Sequence, residues 1–175
     1  MVQRSERQHK IFMITFILFK LGGLNLCFIS LTAIQIIKLH YMVSMKSIYL
    51  GGLRTEVEHL KSGNKVITDA PVDNNGKGEA FSPTDLTCAS LNSCMMTLMG
   101  ILAEREGINL TGLQGEIVKV MSADPRKIAE IKITFTHESL QATEVQKEKL
   151  KRAALSCPVA LSLDPQLKQT IQFNF

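Results

Sequence analysis

No CxxC pair occurs among the four cysteines, and they show no paired Cys/His spacing. That argues against a structural zinc centre and leaves no metal or other cofactor to assign. A basic surplus is also missing from most of the chain. The net charge of +4 lies wholly within residues 1–44, where Arg4, Arg7, Lys10, Lys20 and Lys38 face Glu6 alone. Residues 45–175 balance, fifteen basic against fifteen acidic, so no footprint for nucleic acid is present. Internal repeats and low-complexity tracts are absent too. What remains is a 175-residue chain long enough for one domain with a real core. Its few cysteines suit a reducing compartment, so a cytoplasmic protein is expected.

Residues 1–44 read as a hydrophobic N-terminal extension. Ile11 to Ile37, "IFMITFILFKLGGLNLCFISLTAIQII", is long enough to span a bilayer, and it follows basic residues as a signal anchor does. It lacks a clear small-x-small cleavage site. Lys20 would cost roughly 2.5–3.5 kcal/mol at a bilayer centre, less if it snorkels. A membrane-anchored protein is therefore one reading. The other is an upstream extension, with translation starting at Met42 or Met45. Cys27 falls in this segment and reads as apolar filler.

The body, residues 45–175, reads as an α+β domain of order β-β-α-β-β-α-β. "IYLGGLRTEVEHL" alternates as a strand, "KSGN" turns, and "KVITDAP" returns. Asn- and Gly-rich "VDNNGKGEAF" is a loop. Ser82, Pro83 and Asp85 then stand where an N-cap, a first helical proline and a capping-box acid belong. The helix they open runs to about Glu106, closes at Gly107, and is apolar nearly all round, which predicts a central buried helix. "GLQGEIVKVM" and "KIAEIKITFT" are strands, the second directing Ile131, Ile133 and Phe135 to one side. The tract Pro125 to Lys127 is expected to follow their turn. Thr143 and Gln146 cap a second helix, and "TIQFNF" ends the sequence as a strand.

Three cysteines lie in this body. Cys88 and Cys94 are six positions apart on one helix, so they point to different sides and cannot bond to each other. Each, taken alone, reads as a small buried hydrophobe. Cys157 precedes Pro158 and a short helical pattern, "PVALSL", which makes it an N-cap; the positive end of a helix favours thiolate there. His59 and His137 read as surface or structural residues.

"FSPTDLTCASLNSC" followed by "SCPVALSL" resembles the two signature segments of the OsmC/Ohr family, the osmotically induced and organic hydroperoxide resistance proteins. The resemblance extends through "LRTEVEHLKSGNKVITDAP", "GILAEREGINLTG" and "DPRKIAEI", and covers about residues 48–175. It implies an intertwined homodimer with two sites at the subunit interface. It implies also a thiol-dependent peroxidase that uses no cofactor and takes electrons from a dithiol, possible reductants including lipoyl groups. Cys94 matches the peroxidatic cysteine and Cys157 its resolving partner. Attack needs a thiolate, which burial opposes, so a cation is required. Arg54, nine residues before Gly63, matches the family's active-site arginine; otherwise it is a strand charge paired with Glu56 or Glu58. Where the hydroperoxide-resistance members carry a glutamate after the proline, this sequence has Thr84. Asp85 then either orients the arginine or caps the helix. Met95, Met96, Leu98 and Met99 either favour organic hydroperoxides or fill the core. The alternative function is a non-catalytic OsmC-like module for stress-induced redox sensing or binding.

Overall fold

The computed structural model describes residues 18–21, 24–27 and 43–175. It divides into two units, Met1–Ser44 and Met45–Phe175. In the first, strands β1 (Leu18–Leu21) and β2 (Leu24–Cys27) pair antiparallel, Leu21 opposite Leu24. The remainder of the segment read as an extension or an anchor lies outside the described residues.

The second unit opens with a three-stranded antiparallel sheet in the order β3 (Met45–Gly51), β4 (Arg54–His59), β5 (Lys65–Asp69). The sequence pattern suggested one strand where there are two. Gly51, Gly52 and Leu53 have φ of 84°, 57° and 61°, and the chain reverses there, with the Leu53 N–H donating to the Tyr49 hydroxyl at 3.1 Å. Two adjacent glycines enter the left-handed region without a Cβ clash, so the alternation on either side belongs to separate strands. Near the end of β5 the sheet is tied to the rest of the unit. Thr68 bridges Phe81, and Arg126 pairs with Asp73 at 2.9 Å. Ile48, Tyr49, Leu50 and Val66 remain exposed on this sheet.

A short 3₁₀ turn, Val72–Asn74, leads toward α1 (Pro83–Glu106). The helix begins as its sequence dictates. The Ser82 hydroxyl accepts the Asp85 N–H at 3.1 Å, and the Asp85 carboxylate accepts the Ser82 N–H at 2.8 Å. It ends at Gly107 in the left-handed conformation. Cys88, Leu91, Asn92, Met95, Met99 and Ala103 form the buried face. The opposite face, with Ser90, Ser93, Thr97 and Ile101, is exposed, so within this chain α1 is covered along one side rather than all round. Serines and a threonine recur on that outer face.

The buried face meets a second sheet in the order β6 (Gln114–Ala123), β7 (Arg126–Thr136), β8 (Lys168–Asn174). The β6–β7 turn contains Asp124 and Pro125; the proline sits in the turn, and β7 starts at Arg126. Gly115 of β6 passes the helix closely. A Cβ built there would lie 2.2 Å from Asn92 Oδ1, so only glycine fits without displacement. β7 and β8 run parallel, which requires a crossover. That crossover supplies α2 (Glu144–Leu155) and α3 (Pro158–Ser162). α2 packs along α1, burying Leu150 and Ala154, and Lys149 reaches Glu106 at 2.6 Å. Ile131, Ile133 and Phe135 fill the core from β7, as their alternation predicts. Each such fully buried side chain contributes about 1.5–3 kcal/mol by leaving water.

Candidate functional site

α1 and α3 bring two thiols together. Cys94 is half-buried on α1, three turns of sequence pattern beyond the cap; Cys157 is fully buried at the N-cap of α3. The Cys157 sulfur accepts the Ala160 N–H at 3.2 Å, because Pro158 fixes the first turn and leaves the next amides open. Burial nonetheless pushes the Cys157 thiol up, and the Ala160 amide opposes that only in part. The adjacent Cys94 thiol pushes it further by hydrogen bonding and charge. A five-residue helix therefore does not make Cys157 a ready thiolate: desolvation outweighs the N-terminal amides. Cys94 is the more accessible of the two.

Cys88 points elsewhere, as a six-residue offset requires. It lines a cavity of about 490 Å³ with Glu79, Phe81, Asp85, Ile117 and Lys119, and burial pushes its thiol up despite the nearby lysine. Met95 and Met99 belong to the fully buried core; Met96 and Leu98 are partly exposed at its margin. The histidines do structural work in turns: His59 Nδ1 is 2.7 Å from Ser62 Oγ, and His137 Nε2 is 3.1 Å from the Thr111 carbonyl. Among the described residues no three His, Cys, Asp or Glu side chains converge as a metal site.

Arg54 occupies the first position of β4, directly across from Asp69 of β5. Its Nε and Nη2 donate to the two Asp69 oxygens at 2.7 Å each, and Nη2 reaches Glu79 at 2.7 Å. Neither Glu56 nor Glu58 holds it; Glu56 pairs with Lys65 instead. The hydrogen bond to Asp69, then that to Glu79, raises the guanidinium above its ordinary value, and Arg54 in turn holds the Asp69 carboxyl down.

Asp85 does not contact Arg54. It closes the capping box and binds Lys119 at 2.5 Å, while Lys119 also donates to Thr84 at 2.9 Å and Ser82 at 3.2 Å. Of the two roles expected for Asp85, the geometry contains the cap, and the cation it holds is Lys119. Burial pulls its carboxyl up, but hydrogen bonds from Lys119 and Ser82 outweigh that and keep it below the ordinary carboxylate range. Asp69 is depressed as well, so both carboxylates stabilise the fold above their unfolded pKa of about 3.9. That stability is lost as pH falls through the lower folded values. Thermal unfolding followed from pH 7 to pH 3 is expected to show the transition temperature dropping below about pH 4, with a shallower drop in Asp85→Asn. Equal slopes in the two proteins would contradict it.

Sequence reasoning did not reach Asp69, Glu79 or Lys119. For Asp69 a signal existed. Glu58 opposite Lys65 closes the hairpin, and equal steps back along both strands reach Arg54 and Asp69. Glu79 and Lys119 depend on long-range placement and leave no local mark.

The family described as OsmC-like protein matches residues 76–172, which include both signature segments. A crystal structure from Psychrobacter arcticus, described as an osmotic stress induced and detoxification response protein, is 46% identical, with a TM-score of 0.73, over 76% of this chain and 96% of that one. The chain belongs to the OsmC-like family. Other OsmC-like structures share the fold at low identity. An organic hydroperoxide resistance protein from Legionella pneumophila is 18% identical, with a TM-score of 0.57 over 77% of this chain and 98% of that one. One from Vibrio cholerae, with captopril bound in one of its active sites, is 11% identical, with the same TM-score over 78% and 95%. No curated protein matches this OsmC-like sequence.

Proposed function

We propose that this OsmC-like protein is a thiol-dependent peroxidase acting on organic hydroperoxides or hydrogen peroxide in a reducing compartment. The Cys94 thiolate attacks the distal peroxide oxygen; the O–O bond breaks, the alkoxide takes a proton and leaves as alcohol, and Cys94 becomes a sulfenic acid. The Cys157 sulfur then displaces that hydroxyl as water, forming the Cys94–Cys157 disulfide. An external dithiol, a lipoyl-type group included, reduces it by exchange and is itself oxidised to a disulfide. The observation that carries this reading is the adjacency of the two thiols, one half-exposed and one buried, on separate helices of an OsmC-like fold.

Arg54 supplies the cation in this scheme, stabilising the thiolate and the departing oxyanion. Within one chain its hydrogen bonds go to Asp69 and Glu79 and to neither thiol. A homodimer is the assembly we infer. The sheet that carries Arg54 leaves apolar side chains exposed on both faces, Tyr49 and Val66 on one and Ile48 on the other, which a second copy wrapped around it would cover.

A peroxide panel with dihydrolipoamide or a monothiol as reductant tests the proposal. The expected result is catalytic consumption with the dithiol, and loss of two titratable thiols per chain when peroxide is added without reductant. Thiol loss without turnover under any reductant would refute the peroxidase reading and leave redox sensing in its place.

A further inference from the structure

We propose that Asp69 is the positioning residue for Arg54, a role that rests on the peroxidase reading above. Two alternatives at the start of α1 are already committed. Thr84 carries no charge and meets Lys119, and Asp85 is divided between Lys119 and the Ser82 cap. Glu79, the other carboxylate on the guanidinium, is 62% exposed and makes one contact with it. Asp69 is different in kind. Its side chain is 1% exposed, and both oxygens accept from the same guanidinium edge.

The carboxylate is itself fixed. Asp69 Oδ2 accepts the Glu79 N–H at 3.1 Å, and the Asp69 N–H donates to the Phe81 carbonyl at 3.1 Å. Strand register sets the remainder, since Arg54 and Asp69 face each other across β4 and β5. A bidentate fork on a buried, backbone-anchored carboxylate holds the guanidinium plane in one orientation. The Nε–Nη2 edge is consumed in doing so. Nη1 has no hydrogen-bond partner among the described residues, and the arginine side chain stays 30% exposed. Asp69 thus turns one edge of the arginine inward and presents the other, with its donors free, to an anionic sulfur or a peroxide oxygen.

The full chain tests this with Asp69→Asn, Asp69→Glu, Arg54→Lys, Glu79→Gln and the Arg54→Lys/Asp69→Asn and Arg54→Lys/Asp69→Glu pairs. Thermal unfolding confirms that each variant is folded. Asp69→Asn is expected to slow Cys94 oxidation by cumene hydroperoxide at least about tenfold, mainly in kcat, as loss of an oriented oxyanion donor does. Asp69→Glu recovers most of that rate. Adding Asp69→Asn to Arg54→Lys changes it less than about twofold, because a residue acting through the guanidinium has nothing left to orient. Glu79→Gln slows oxidation less than Asp69→Asn does, because its carboxylate is exposed and makes one contact with the guanidinium. Labelling of Cys94 by iodoacetamide at pH 7, read by mass spectrometry, follows the same ranking without any peroxide. If wild type consumed no peroxide, the peroxidase reading would fall, and the labelling ranking would still decide the role of Asp69. A folded Asp69→Asn with wild-type oxidation and labelling overturns the proposal, as does an equal loss in the Arg54→Lys background. Should Asp69→Asn not fold, Asp69→Glu is scored alone on labelling. A partial slowing that disappears in the Arg54→Lys background supports the role; none, or the same slowing there, overturns it.

Discussion

Serine at position 94 abolishes peroxide consumption, whereas serine at position 157 allows one turnover per chain and then stops at the sulfenic acid. The asymmetry follows from burial and partners, not from sequence order. Cys94 is half-buried and open to a small oxidant; Cys157 has no exposed surface, and desolvation keeps its sulfur protonated. An alcohol replacing Cys94 is too weak a nucleophile to open the O–O bond, so consumption falls by at least about three orders of magnitude. Removing Cys157 leaves that first step intact and deletes only the thiol that closes the disulfide. The measurement is a mass shift of one oxygen, or a dimedone adduct, on Cys94 in Cys157→Ser after one equivalent of cumene hydroperoxide. Cys88→Ala serves as the control, because that thiol lines a cavity to which neither Cys94 nor Cys157 contributes, and it is expected to leave turnover unchanged. Sulfenic acid forming first on Cys157, or sustained turnover by Cys94→Ser, would reverse the assignment.

Local chemistry made much of this architecture legible. The Ser82–Asp85 and Thr143–Gln146 boxes mark both long helices because their hydrogen bonds join residues three apart. Ile131, Ile133 and Phe135 announce the core strand by alternation alone. The tight reversal at Gly51 and Gly52 was hidden by apolar residues on both sides, which continue the same periodicity through the turn. At the site, Cys94, Cys157 and Arg54 were legible as types in a family pattern. Their partners were not, apart from Asp69 through the hairpin register. A lysine on β6 becomes the mate of Asp85 only once β6 crosses the start of α1, and no spacing in the sequence records that crossing. The expected thiolate character of Cys157 failed for a similar reason. A helix cap is a local feature, but the burial that opposes it comes from α1, far away in sequence.

Phe135→Ala is expected to remove about 3–5 kcal/mol of stability, enough to unfold much of the population of a domain of this size. Phe135 is fully buried in the central strand of the second sheet, and its ring stacks on Phe173 with centroids 5.5 Å apart and planes at 24°. Phe173 in turn meets Phe175 edge-on at 5.7 Å. Beyond the parallel backbone ladder, this ring and the neighbouring Ile133–Ile171 pair hold β8 in side-chain register against β7. Truncation leaves a void under α1 and frees the terminal strand, so the loss exceeds simple transfer of the ring to water. In urea the midpoint should fall on the order of 2 M, given the usual slopes of 1–3 kcal/mol per molar. Comparison at one protein concentration removes the contribution of any association. Phe135→Leu keeps most of the volume and should lose less than about 1.5 kcal/mol. A loss below about 1 kcal/mol for the alanine variant would mean that the site collapses onto the vacancy, and that β8 is held without this ring.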